Sequence, residues 1–134
     1  MPRERRGVPK AKILVVDDQA LIRTMLSDLL TEAGYQVVTA ADGEEGLALL
    51  KREAPALVIL DKVMPRMGGT RFILESREAG LSRPPALIVY SSAFAESPQE
   101  HADETFRIRL HVSKTTKGDA ILKLVADLLA RTGE

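Results

Sequence analysis

Residues 57–69 read Leu57-Val58-Ile59-Leu60-Asp61-Lys62-Val63-Met64-Pro65-Arg66-Met67-Gly68-Gly69. Four uninterrupted apolar residues end on a carboxylate, and a turn punctuated by proline and two glycines follows. A short continuous apolar run suits a strand buried on both faces of a parallel sheet, where helices cover each side. Ile13–Val16 and Ala86–Tyr90 have the same character, and the first of them also ends on acid, at Asp17-Asp18. With two weaker candidates, the strands are read over Lys12–Val16, Tyr35–Ala40, Ala56–Leu60, Ala86–Tyr90 and Arg107–Val112.

Segments of helical period separate them. Ile22, Met25, Leu26, Leu29 and Leu30 recur at three-and-four spacing, and Gly34 follows as a helix stop. Asp42 and Glu45 have the spacing of a capping box ahead of Leu47, Leu49 and Leu50. Phe72 and Ile73 mark a third helix that ends near Gly80, and Ile121, Leu124, Val125, Leu128 and Leu129 form a strong C-terminal stripe. A fourth helix has start signals at Ser97, Pro98 and Glu100 but stays polar until Phe106, so Phe94–Phe106 is expected to be irregular. Alternation of this kind implies one α/β domain: a flavodoxin-like, doubly wound, five-stranded parallel sheet with right-handed crossovers, (βα)5, or four helices and an irregular segment.

Bulk properties agree. The chain has 134 residues, enough for one domain over 11–131 with a basic leader at 1–10 and a short tail at 132–134. Lysines and arginines equal aspartates and glutamates at 19 each, so no broad positive field for nucleic acid exists. The absence of cysteine excludes disulfides and thiolate metal sites. No apolar run approaches the ~20 residues of a membrane span. A soluble, cytoplasmic protein is expected.

In open parallel sheets, ligands gather outside the carboxyl ends of the strands, where strand order reverses. Asp17, Asp18, Asp61, Ser91, Ser92 and Lys114 all fall at such ends. Three carboxylates gathered at one sheet edge repel one another, and a hard divalent cation such as Mg²⁺, which prefers oxygen ligands, resolves that conflict. A lysine and a hydroxyl beside them could stabilise the charge on a phosphoryl group in transfer, and an aspartate can itself accept that group. Taken singly, each residue has a plainer reading: an N-cap aspartate, a turn aspartate, a surface lysine, a turn serine.

Together and in this order, the acidic pair of 13–18, the Asp-x-x-Met-Pro-x-Met-x-Gly run of 61–69 and the late Lys114 resemble the receiver family of response regulators over about residues 10–130. The resemblance implies a signalling domain, not a metabolic enzyme, that catalyses only its own phosphorylation and dephosphorylation. Asp61 matches the phospho-acceptor. Asp17 and Asp18 match the acidic pair at the Mg²⁺, with Val63 offering its backbone carbonyl. Ser91 matches the switch hydroxyl, with Ser92 the competing assignment, and Lys114 matches the lysine that pairs with the phosphoryl group. Implied partners are a sensor histidine kinase or phosphotransfer protein and a downstream protein target, with no nucleic acid and no membrane, in a monomer or weak dimer. After the last helix only Arg131–Glu134 remain, consistent with a stand-alone regulator or a domain cut from a longer chain.

Two positions depart from the family pattern. Thr115 stands where a proline with a cis bond usually follows the lysine. His111 stands where the family commonly has the aromatic that reports the switch to the output face; by itself it reads as a partly buried strand residue. These departures keep a second reading open, a pseudo-receiver that binds partners without phosphate. A phosphohydrolase with an aspartate nucleophile would typically carry another aspartate two residues on, where Val63 stands.

Overall fold

A computed structural model describes residues 10–61, 64, 67–81, 84–91, 99–101, 106 and 109–131. The elements run β1 (Lys12–Val16), α1 (Ala20–Glu32), β2 (Gln36–Ala40), α2 (Gly43–Glu53), β3 (Leu57–Leu60), α3 (Gly69–Glu78), β4 (Ala86–Ser91), β5 (Gln99–His101), β6 (Arg109–Ser113) and α4 (Gly118–Arg131). One sheet of order β2-β1-β3-β4-β6-β5 contains them all. Its first five strands are mutually parallel, and β5 adds an antiparallel edge on β6.

The parallel strands alternate between two cores. Ile13, Val15, Leu57, Ile59, Ile88, Tyr90, Leu110 and Val112 turn to one side, where α1 and α4 bring Leu26, Leu30, Ile121, Val125, Leu128 and Leu129. Leu14, Val16, Val58, Leu60, Leu87 and Val89 turn to the other, against Leu49 and Leu50 of α2 and Phe72 and Ile73 of α3. Continuous apolar runs are thereby explained: each residue has a covered face whichever way it points. Met64 and Met67 join the second core, as packing residues.

Chain reversals follow their local chemistry. Gly34 has φ +101°, and its N–H donates to Thr31 O at 3.0 Å while that of Tyr35 donates to Leu30 O at 3.1 Å. Those two bonds satisfy carbonyls at the end of α1 in a left-handed cap that favours glycine. At the start of α2, Glu45 N–H donates to Asp42 Oδ1 at 2.9 Å. The expected capping box forms with one change: Glu45 Oε1 accepts from Ala41 N–H at 2.8 Å, one residue before the cap.

The fourth helix does not form at Gln99–His101, which pair as a strand with Arg109–His111. The polar segment has no apolar stripe with which to cover the sheet, whereas an edge strand needs only backbone hydrogen bonds. Of the segment expected to be irregular, Gln99–His101 are extended and Phe106 is buried; its other residues lie outside the described ones. The last strand starts at Arg109 and extends to Ser113. Among the described residues no helix is long and apolar enough to cross a membrane.

Helix α2 also anchors the loop after β3. A Cβ on Gly43 would lie 2.7 Å from Met67 Cβ, Met67 Cγ and the Met67 backbone oxygen. Because backbone must move to admit it, Gly43→Ala is expected to lower stability in urea by about 1–3 kcal/mol, the usual cost of overpacking; an unchanged midpoint would show that the loop yields freely.

Candidate functional site

Strand order reverses between β1 and β3: from β1 the chain proceeds to β2 on one side, and later returns to β3 on the other. The carboxyl ends of these two strands carry the acids. Asp17 N–H donates to Ala40 O at 3.1 Å and Asp61 N–H to Val16 O at 2.8 Å, so the sheet's own hydrogen bonding fixes both backbones. Asp17 and Asp61 are buried and Asp18 is exposed. One carboxylate oxygen from each of the three lies within 4.8 Å of the others.

Such crowding is costly. At this separation each pair of like charges repels by about 3–4 kcal/mol for an effective dielectric near 20. Lys114 answers it, with Nζ 3.1 Å from Asp17 Oδ2 and 3.5 Å from Asp61 Oδ1. Its side chain is only 16% exposed. Burial by itself pulls the Lys114 pKa down, but hydrogen bonds and charge from Asp17 and Asp61 together outweigh it and hold the pKa above the ordinary lysine value. The ammonium therefore keeps its charge through neutral pH, and its contribution to stability is lost only as alkaline pH passes that raised value.

Backbone groups hold the rest in place. Asp17 Oδ1 accepts from Gln19 N–H at 2.9 Å, and Arg23 Nη1 donates to the Asp17 carbonyl at 2.7 Å. Tyr90 hydroxyl donates to the Lys114 carbonyl at 3.3 Å, and the Tyr90 ring centroid is 5.9 Å from Lys114 Nζ. Burial raises the Tyr90 pKa, so its hydroxyl remains a neutral donor. Arg23 and Tyr90 were not predictable as site residues: one is an exposed-type residue on a helix, the other reads as core.

Of the residues singled out from sequence, Asp17, Asp18, Asp61 and Lys114 come together. Ser91 closes β4, in register with Ser113 of β6; its side chain, Ser92 and Val63 lie outside what is described. His111 is buried in β6, in register with Val89 on one side and Gln99 on the other. The described residues contain no cis peptide bond, so the bond between Lys114 and Thr115 is trans.

The donor set suits a hard divalent cation: carboxylate oxygens only, convergent, and partly open to solvent through Asp18. Family comparison agrees with the geometry, since the model of the response regulator receiver domain matches residues 13–126. The chain belongs to this family. The receiver domain is similar to the "probable transcriptional regulator ycf27" of Porphyridium aerugineum, 51% identical over 69 residues that make up 52% of this chain and 29% of that protein. It is also 38% identical over 84 residues to a "probable chemotaxis protein CheY" of Rhizobium etli, covering 62% of this chain and 65% of that protein. The solved chemotaxis protein CheY4 of Vibrio cholerae superposes with a TM-score of 0.72 at 27% identity, over 88% of this chain and 98% of that one. The chain thus spans less than a third of the ycf27 regulator and about two thirds of the chemotaxis relative. As a receiver domain it is a signalling module of two-component systems.

Replacing Lys114 by methionine leaves two buried carboxylates without their cation. In metal-free buffer at pH 7 this receiver domain is expected to lose about 2–4 kcal/mol, somewhat less than the ~3–5 kcal/mol for breaking a fully buried pair because Lys114 is partly exposed. Equal urea midpoints for parent and variant would refute that electrostatic account.

Proposed function

We propose that this receiver domain is a phosphorylation-controlled protein-interaction switch, with Asp61 as the phospho-acceptor. The observation that carries the reading is the meeting of three carboxylates from two strand ends with one partly buried lysine ammonium. Asp17, Asp18 and Asp61, with the Val63 carbonyl, would hold Mg²⁺. When bound, that ion supplies positive charge where phosphoryl oxygens carry developing negative charge.

The chain's own residues do the rest. An Asp61 carboxylate oxygen attacks phosphorus, the bond from phosphorus to the imidazole nitrogen of a phosphohistidine breaks, and the imidazole leaves with the electron pair. Lys114 already spans Asp17 and Asp61, so its ammonium can follow the charge from carboxylate to phosphoryl oxygen without leaving the site. Ser91, with Ser92 as the competing assignment, donates the hydroxyl that senses the phosphoryl group, and His111 occupies the position from which the change is read out. The partners are a sensor histidine kinase or phosphotransfer protein and a downstream protein target; the domain works as a monomer or weak dimer in the cytoplasm.

A pseudo-receiver is the second reading, and Thr115 and His111 are the residues that favour it. Such a module would show no Mg²⁺ binding. For the phospho-acceptor reading, incubation with acetyl phosphate and Mg²⁺ is expected to add the mass of one phosphoryl group to the parent and none to Asp61→Ala or to a Mg²⁺-free sample. An unmodified parent, or an equally modified Asp61→Ala, would overturn it.

A further inference from the structure

Thr115 directly follows Lys114, at the position where the receiver family commonly has proline. Lysine is a point charge on a flexible four-carbon stem, and holding its head group at one place costs about 2 kcal/mol of rotamer freedom. A buried bridge to two carboxylates therefore demands a rigid backbone at residue 114. The chain after β6 supplies one by different means.

Ser113 is buried. Its Oγ lies 2.7 Å from Thr115 Oγ1 and accepts from Thr115 N–H at 3.1 Å. Its carbonyl accepts from Thr116 N–H at 3.1 Å, which closes the turn. Between these bonds, the Lys114 carbonyl accepts from the Tyr90 hydroxyl at 3.3 Å. Thr115 N–H is a donor that proline would lack, so the substitution adds a hydrogen bond at the place where it removes a ring. A turn with Ser113 and Thr115 on either side of the lysine and Tyr90 beneath is fixed at three successive residues.

We infer that Ser113, Thr115 and Tyr90 are positioning residues for Lys114, a hydroxyl clasp that holds an all-trans turn so that the ammonium bridges Asp17 and Asp61. Their effect on phosphoryl transfer rests on the role proposed above for Lys114; the clasp itself does not. The Ser113–Thr115 pair carries more of the hold than Tyr90, whose bond is the longest of the set.

Trace acylation of amines in the folded protein, without phosphodonor, reads the clasp directly. The labelling of Lys114, normalised to the exposed Lys123 in the same molecule, measures how firmly the ammonium is held. Thr115→Val is expected to raise it about three- to tenfold, the scale of one net hydrogen bond, and Ser113→Ala, which removes two bonds, by at least as much. Tyr90→Phe, losing the weaker bond, is expected to raise it about two- to threefold. Thr115→Ser keeps the oxygen and should stay within about twofold of the parent, which a purely bulk-packing role would not produce. Position 115 is exposed, so this serine–valine pair decides the matter even if Ser113→Ala unfolds. Unchanged labelling in Thr115→Val, or equal rises in Thr115→Val and Thr115→Ser, would overturn the inference. Phosphorylation of the same proteins separates the two ideas: a parent that accepts no phosphoryl group defeats the acceptor reading, while the labelling ratios still decide the clasp.

Discussion

Like charge held close together is the constraint on which this molecule turns. The ends of β1 and β3 bring Asp17, Asp18 and Asp61 within 4.8 Å of one another, an arrangement that repels by several kcal/mol unless a cation sits among them. In the structure that cation is Lys114, drawn from the end of β6. A site of this kind is poised rather than satisfied, since among the described residues three carboxylates, one of them the exposed Asp18, gather where the ammonium of Lys114 sits. Electrostatics of this sort favours capture of a divalent cation and then of an anionic group that it can share with the lysine.

The scaffold exists to keep the acids in that place. Backbone bonds from Asp17 and Asp61 into neighbouring strands leave them no freedom to spread apart. Two apolar cores lock the strands from both faces, and α2 presses the loop after β3 through the space that Gly43 leaves for Met67. Rigidity on the acid side is matched on the lysine side by the hydrogen-bonded turn through Ser113, Thr115 and Tyr90. The antiparallel β5 edge lies away from the carboxylates in sheet order, beyond β4 and β6.

Much of this was legible beforehand because it rests on local and periodic signals. Ile13–Val16, Leu57–Leu60 and Ala86–Tyr90 announce buried strands by being apolar throughout, and Gly34 and Asp42 mark the end of one helix and the start of another by their own chemistry. The acids and Lys114 could be placed together because parallel sheets present all their carboxyl ends on one edge. Gln99–His101 were not legible as a strand: three polar residues carry no period, and their structure comes from an edge of β6 that sequence order does not reveal. Arg23 and Tyr90 escaped for a related reason, since a guanidinium reaching a backbone carbonyl and a tyrosine hydroxyl reaching the Lys114 carbonyl are long-range contacts with no spacing rule.

Because the account makes the crowded carboxylates a cation site, the most direct test is thermal unfolding across a Mg²⁺ titration, in the parent and in Asp61→Asn. Ligand that binds only the folded state raises the midpoint by an amount that grows with the logarithm of concentration above the dissociation constant. The account predicts such a rise in the parent and its loss or strong reduction in Asp61→Asn. No rise in the parent, or the same rise in both proteins, would contradict it.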